Sequence, residues 1–326
     1  MLLPRRQFLH LAAGVAALPL VSLSAGAQTY PTRPVRVIVP YAPGGPTDLF
    51  ARLIAQKLSE RLGQQFFVEN VGGAGGNIGM GRAAKAPPDG YTLLVAAAPL
   101  VINPTLYGTV PYDPIKDFDP ITLAVASTVL LTVHPSLQAR TVKDLIAIIR
   151  DNPGKYSYAS PGTGTPPHLV GELFRLSLKL DLVHVPFNSG GLAVGSTLAG
   201  HTPISFGTLP PALAHIKDRK LRALAVTSKA RSQTLPDVAT MAEAGYPDIA
   251  GESWFGVVAP AGTPRQIIAL LNREIVGITA LDDVKERLAT LGFEPVPTSP
   301  EQFGGRIKSD AETWAKVIRA GNIKPE

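Results

Sequence analysis

The chain opens its ordered pattern with an apolar run at residues 35–40 that stops at a Pro/Gly turn, after which Phe50, Leu53, Ile54, Leu58 and Leu62 recur at helical spacing until Gly63. Strand, loop and helix are predicted in that order. A second cycle places a strand at 66–69, a glycine-rich loop at 72–76 and a short helix at about 77–85; a third strand follows at 91–96. Further on, 156–160, 182–186, 203–206 and 221–227 read as buried strands, separated by helical patterns such as Val142, Leu145, Ile146 and Ile149. Thr263-Pro264-Arg265-Gln266 and Ser299-Pro300-Glu301-Gln302 each combine a capping hydroxyl, Pro at the first helical position and Gln three residues on, so the carboxy-terminal part is helical. Strands alternating with helices predict an α/β fold with mainly parallel sheets. No repeat of solenoid or propeller length is visible.

Two stretches read as continuous strand-like connectors: 121–133, interrupted by Ser127-Thr128, and 254–259. If both cross between lobes, residues 28–125 with 252–326 form lobe 1, and 126–251 form lobe 2 as an insertion. Periodicity alone leaves this discontinuous arrangement open.

Residues 1–27 read as an export signal: Arg5-Arg6-Gln7-Phe8-Leu9 in the twin-arginine manner, an apolar run to Leu23, and Ala25-Gly26-Ala27 as a small-residue cleavage site. A periplasmic chain starting at Gln28 is expected. The apolar run is short for a membrane span, which takes about 20 residues. Of 326 residues 45% are hydrophobic and 17% charged, which suits a globular chain and not a disordered one. The absence of Cys excludes disulfides, thiol catalysis and Fe–S clusters. The net charge is +6; without residues 1–27 there remain 29 basic side chains against 25 acidic, with no basic run longer than two, so a nucleic-acid partner is not expected.

Two loops carry candidate chemistry. Tyr41-Ala42-Pro43-Gly44-Gly45-Pro46-Thr47-Asp48 lies between a strand and an amphipathic helix, where glycine lets the backbone approach a ligand and free N–H groups at the helix start favour an anion. The alternative is a tight turn in which Thr47 or Asp48 caps the helix. Ser160-Pro161-Gly162-Thr163-Gly164-Thr165 again follows a strand and precedes a helix, and its hydroxyls at Ser160, Thr163 and Thr165 add neutral donors. His168, in the first turns of that helix, either faces the ligand or packs.

The glycine-rich loop at 72–79 fails the nucleotide templates. Gly81-Arg82-Ala83 lacks the Lys and hydroxyl of a Walker loop, and Gly79-x-Gly81-x-x-Ala84 falls inside the predicted helix. There is no G-x-S-x-G elbow and no H-E-x-x-H spacing, so neither an enzyme nor a metal site is expected and no cofactor is implied. Asp113, Asp117 and Asp119 read as a solvated turn.

Assembled, these residues give the chain a resemblance to the substrate-binding proteins of tripartite tricarboxylate transporters, the Bug family of extracytoplasmic solute receptors. It spans essentially the whole chain after the signal. The similar stretches include Pro43-Gly44-Gly45 with Asp48, Glu69-Asn70 with Gly73-Ala74-Gly75-Gly76-Asn77-Ile78-Gly79, Pro88-Asp89-Gly90-Tyr91, Gly162 to Thr165 with His168, His184-Val185-Pro186, and Trp254-Phe255-Gly256. The resemblance implies a two-lobed periplasmic-binding-protein fold of the Venus-flytrap kind, monomeric, which closes on a small organic carboxylate and delivers it to a large and a small integral membrane subunit. A periplasmic sensor, or a hydrolase or isomerase using the same cleft, is the alternative. The candidate ligand contacts are Tyr41, Ala42, Pro43, Gly44, Gly45, Thr47, Asp48, Ala98, Ser160, Gly162, Thr163, Gly164, Thr165, His168, Asn188, Gly207 and Thr208.

The chain departs from its relatives at three places. Pro161 and Pro166-Pro167 remove N–H donors near the second loop. Phe187-Asn188 stands where many relatives carry Tyr and a basic residue, and Gly207 where they carry Asp or Asn. The expected ligand is therefore larger or less polar than a compact C4 diacid, with an aromatic acid as the example.

Overall fold

The computed structural model describes residues 30–325; the export signal expected at 1–27 lies outside them. In chain order the elements are β1 (Val35–Val39), α1 (Pro46–Leu62), β2 (Phe66–Asn70), a single 3-10 turn (Ala74–Gly76), α2 (Asn77–Ala84), β3 (Thr92–Ala97), α3 (Pro99–Leu106) and β4 (Phe118–Val133). Then follow α4 (Val142–Arg150), β5 (Ser157–Ser160), α5 (Pro166–Ser177), β6 (Val183–Pro186), α6 (Gly190–Leu198), β7 (Ile204–Thr208), α7 (Leu209–Lys217) and β8 (Arg222–Val226). The chain ends with β9 (Glu252–Pro260), α8 (Arg265–Thr279), α9 (Asp282–Thr290), β10 (Glu294–Pro295) and α10 (Pro300–Ala320).

β4 organises the architecture. Its first half pairs antiparallel with β9 and β10, in one sheet with β3, β1 and β2; its second half, from Val129, pairs antiparallel with β7 and β8, in a second sheet with β5 and β6. In the first sheet β2, β1 and β3 run parallel; β9, inserted between β3 and β4, is reversed, as is the short β10 on the edge of β4. In the second, β6, β5 and β7 run parallel. The Ser127-Thr128 pair does not interrupt β4: it continues the ladder against Ser253 and Glu252.

The elements form for local reasons the sequence states. α1 ends at Gly63, whose left-handed φ of 69° lets its N–H return to the Ser59 carbonyl. α4 and α10 start with full capping boxes, Thr141 with Asp144 and Ser299 with Gln302. A core of buried apolar residues, among them Ile38, Leu94, Val129, Tyr158, Phe206, Trp254 and Phe303, is continuous across both sheets. Within it the Trp254 indole donates to Asp310, which also accepts from Arg306. Asp119, expected in a solvated turn, instead accepts from the N–H groups of Gly262 and Thr263 and so ties the end of β9 to the start of β4.

Candidate functional site

Every predicted site residue lies at or just beyond the carboxy-terminal end of a strand, where open α/β sheets bind ligands. Tyr41 to Asp48 follow β1; Ala98 follows β3; Ser160 to His168 follow β5; Asn188 follows β6; Gly207 and Thr208 close β7, which runs two residues past the expected end at 206. Helices α1, α3, α5 and α7 begin at these points, and none has a side-chain cap.

The first loop is held from behind by Asp48. Its buried carboxylate accepts from the Gly44 N–H (2.9 Å), Arg52 Nε (2.9 Å) and Asn70 Nδ2 (2.9 Å), and Asn70 also donates to the Tyr41 carbonyl (3.1 Å). Burial would raise the Asp48 pKa, but the bonds from Arg52, Gly44 and Asn70 and the Arg52 charge outweigh it and hold the group below the usual carboxylate range. Asp48 therefore shapes the loop from inside. The N–H groups of Gly45, Thr47 and Asp48 have no partner among the described residues, and the segment from Ala42 to Gly44 is exposed. Unpaired donors at the start of a 17-residue helix carry the partial positive charge that attracts anions.

The glycine-rich loop at 72–76 braces the first loop. Asn103, on α3, donates to the Gly75 carbonyl (3.0 Å) and to Asn77 Oδ1 (2.8 Å), where the Tyr112 hydroxyl also donates. Gly79 allows α2 to lie against the chain beyond β1, since a side chain there would strike the Val71 carbonyl and Pro40. The Tyr41 hydroxyl is buried with no hydrogen-bond partner among the described residues, and burial, with Tyr107 nearby, pushes its pKa up.

The second loop is closed on itself. The Gly162 N–H donates to Ser160 Oγ (3.2 Å), the Gly164 N–H to His168 Nδ1 (3.0 Å), and the Thr165 N–H and hydroxyl both to the Gly162 carbonyl (3.3 and 2.7 Å). Ser160 Oγ also bonds His184 Nε2 at 2.7 Å. His168 does not stand at the surface of the cleft. It is buried at 3% exposure behind the loop and stacks on His184. Burial first, and the neighbouring His184 second, lower its pKa to about 3, so the ring is neutral, with Nδ1 as acceptor and the proton on Nε2. Beneath it Glu172 accepts from Tyr158 (2.8 Å) and Arg175 (2.6 Å). Thr163, His168 and His184 border an open pocket of about 310 Å³ that Ile323 and Lys324 also line.

The two halves of the site meet through α3. Gly164, at φ +77°, fits against Leu106, and a side chain there would run into Leu106 Cδ2. Asn188 is exposed, and Ser189 beside it caps α6 by accepting from the Leu192 N–H (3.3 Å). Gly207 pairs with Leu130 and faces open space, with nothing within 4 Å of where a Cβ would sit. Ala98 is buried at the start of α3. Sequence reasoning missed His184, Asn70 and Asn103 as shaping residues. All three sit inside stretches that carry the family resemblance, Asn103 in Asn103-Pro104, which was the available signal. No three His, Asp or Glu side chains come together as a metal site among the described residues, and none of their helices is long and apolar enough to cross a membrane.

Comparison with known proteins gives this geometry a context. A family profile described as "Tripartite tricarboxylate transporter family receptor" matches residues 50–323. Protein BugT of Bordetella pertussis is 38% identical over 314 residues, covering 96% of this chain and 94% of its own. Among solved structures, R. palustris Rpa4515 with adipate is 34% identical with a TM-score of 0.75, covering 91% of this chain and 100% of its own. MatC from Rhodopseudomonas palustris with bound malate is 31% identical with a TM-score of 0.71, covering 89% and 100%. These are solute-binding receptors and not enzymes. The chain belongs to the receptor family of the tripartite tricarboxylate transporters.

Proposed function

We propose that the protein is a periplasmic receptor that seats the carboxylate of a small organic acid on the first loop and encloses the rest of the ligand between two lobes, residues 28–125 with 252–326 and residues 126–251. The observation that carries this reading is the set of open N–H groups at Gly45, Thr47 and Asp48, at a helix start without a side-chain cap. The outlying helices α4 and α10 have that position filled by capping boxes. The relatives with adipate and malate support a carboxylate as the ligand class. β4, shared by both sheets, supports motion of one lobe against the other about its middle. Ligand then favours the closed state by its greater affinity for that state, and membrane subunits read the closed form.

The open space at Gly207, the neutral Asn188 and the half-buried Phe187 support a ligand larger or less polar than a C4 diacid. A thermal-shift screen of residues 28–326, unfolded and refolded to strip carried ligand, against aliphatic and aromatic mono-, di- and tricarboxylates tests both parts. A selective rise in midpoint is expected with one of these acids. No rise with any of them rejects the receptor reading, and a preference for succinate or malate over every bulkier acid rejects the ligand size.

A further inference from the structure

Helix α10 belongs to both halves of the molecule. Its first half lies on the first sheet: Phe303 meets Trp254 of β9 edge-on, with ring centroids 5.4 Å apart, in the space that Gly256 leaves, and Arg306 bonds Asp310 (2.7 Å) and Glu252 (3.4 Å). Its second half lies on α5, which is fixed to the second sheet, since a side chain at Gly171 would strike Tyr158 of β5 and Phe206 of β7. Between the two halves, Trp314 and Val170 close on Gly251, where a side chain would strike both. Gly251 is where the chain returns to β9, and it is tied to the end of the second sheet by Thr227, to whose carbonyl its N–H donates and from whose hydroxyl its carbonyl accepts.

The packing continues past the helix end. A side chain at Gly321 would come within 3.2 Å of Glu172 Oε2, Asn322 takes a left-handed φ of 49°, and the Ile323 N–H returns to the Ile318 carbonyl (3.0 Å). This turn lays the half-buried Ile323 beside Glu172 and Leu182. The chain itself passes between the sheets at β4 and at Gly251; α10 with its tail is a further crossing, held by packing alone. The 21-residue helix is about 31 Å long, with Trp314 beside the crossing at Gly251 and Ile323 well beyond it. Rotation about the crossing moves Trp314 least and Ile323 most.

Resting on the two-lobed receptor reading above, we infer that Ile323 and the last turn of α10 form a strap that sets the angle between the sheets, which makes Ile323 a positioning residue for ligand binding. The strap favours the arrangement in which the second loop rests on Leu106 of α3. When the sheets rotate apart with α10 held by Trp254 and Glu252, Ile323 leaves Glu172 and Leu182 and returns to water, which opposes the rotation. The strap thereby raises the fraction of molecules whose two loops are placed for one ligand, and apparent affinity scales with that fraction.

The chain has no Cys, so spin labels at Lys85→Cys and Lys217→Cys, exposed positions on α2's end and on α7, report the separation of the halves without background. Distances by pulsed EPR without ligand, and affinities for adipate, malate and benzoate by calorimetry, are measured on refolded residues 28–326 and on a chain ending at Ala320. Two further variants are Ile323→Asp, which sets a carboxylate beside Glu172, and Ile323→Leu, which keeps an apolar side chain. The shortened chain and Ile323→Asp are expected to show longer, broader distances and an affinity lowered about three- to tenfold for the acid that binds. Ile323→Leu matches the unaltered protein in both readouts.

Unchanged distances in a folded shortened chain, or an affinity unchanged or raised, overturn the inference and leave the receptor reading standing. Should the shortened chain fail to fold, Ile323→Asp against Ile323→Leu decides by the same two readouts. Binding of none of the three acids by the unaltered protein overturns the receptor reading, while the distances, taken without ligand, still decide whether the strap sets the angle.

Discussion

The rings of His168 and His184 lie face to face, with centroids 3.8 Å apart and planes 17° from parallel. Two imidazoles in this arrangement repel once both are charged. The buried one, His168, is held neutral, with a pKa near 3 against an ordinary value of 6.5. Around it stand Glu172 and Arg175 on its own helix, Tyr158 and Ser160 on β5, His184 on β6, and Lys324 at the rim of the pocket.

Acid should therefore weaken the fold before any carboxylate is protonated. The unfolded chain binds a proton at this His below about pH 6.5 and the folded chain does not, so stability is complete above pH 6.5 and falls as pH drops toward 3. At pH 5 the loss from this group alone is about 2 kcal/mol. Urea unfolding midpoints of the unaltered protein and of His168→Asn, taken between pH 7 and pH 5, should show a steeper decline in the former; equal slopes would assign the acid sensitivity elsewhere.

Asp48 is expected to act on stability more than on ligand contact. Asp48→Ala removes the acceptor of the Gly44 N–H, Arg52 and Asn70 at once. Arg52 is half exposed and recovers water, so the loss is about 2 kcal/mol and not the larger figure for a fully buried ion pair. Asp48→Asn retains part of the network and should fall between. Chemical denaturation measures both, and the lowered pKa of Asp48 adds a second loss as pH falls below its ordinary 3.8.

Gly164 and Leu106 should be energetically coupled. Gly164→Ala adds a side chain at a positive φ and against Leu106, at a loss of about 1–3 kcal/mol. In Leu106→Ala the clash disappears and the backbone strain remains, so the double variant should be less damaged than the sum of the two singles. A double-mutant cycle with strictly additive terms would show that the second loop does not rest on α3.

Gly207→Asn separates space from stability. Nothing lies within 4 Å of the new Cβ, so the unfolding free energy should stay within about 0.5 kcal/mol of the parent. Affinity for benzoate should fall relative to affinity for a short aliphatic acid. Unchanged relative affinities would place the bulk of the ligand away from β7.

Much of this site was legible in residue order. Runs such as 35–40 stop at Pro or Gly because a strand must turn there, and the next apolar residues return at helical spacing; that pattern located the first and second loops. The direction of a side chain was not legible. His168 and Glu172 are four apart on one helix, and periodicity groups them on one face without saying that the face turns inward onto β5 and β6. His184 sits in a short strand at the sheet edge whose neighbour Val183 is 54% exposed, so alternation gives no buried signal there. Ser127-Thr128 reads as polar and breaking, yet both are buried because β4 crosses from one sheet to the other at that point and Thr128 finds Ser228. The reversed β9 depends on contacts between distant parts of the chain, which no local window contains.

The place of β9 between β3 and β4 also sets an order of assembly. During synthesis β1, β2, β3 and the first half of β4 emerge early, but the two strand edges that β9 will join stay unpaired until the strands and helices of the second sheet have been made. The sheet that begins the chain is thus finished last. A chain halted before Glu252 keeps those edges as templates for pairing with other molecules, and its first loop, though complete in sequence, hangs on a half-built sheet.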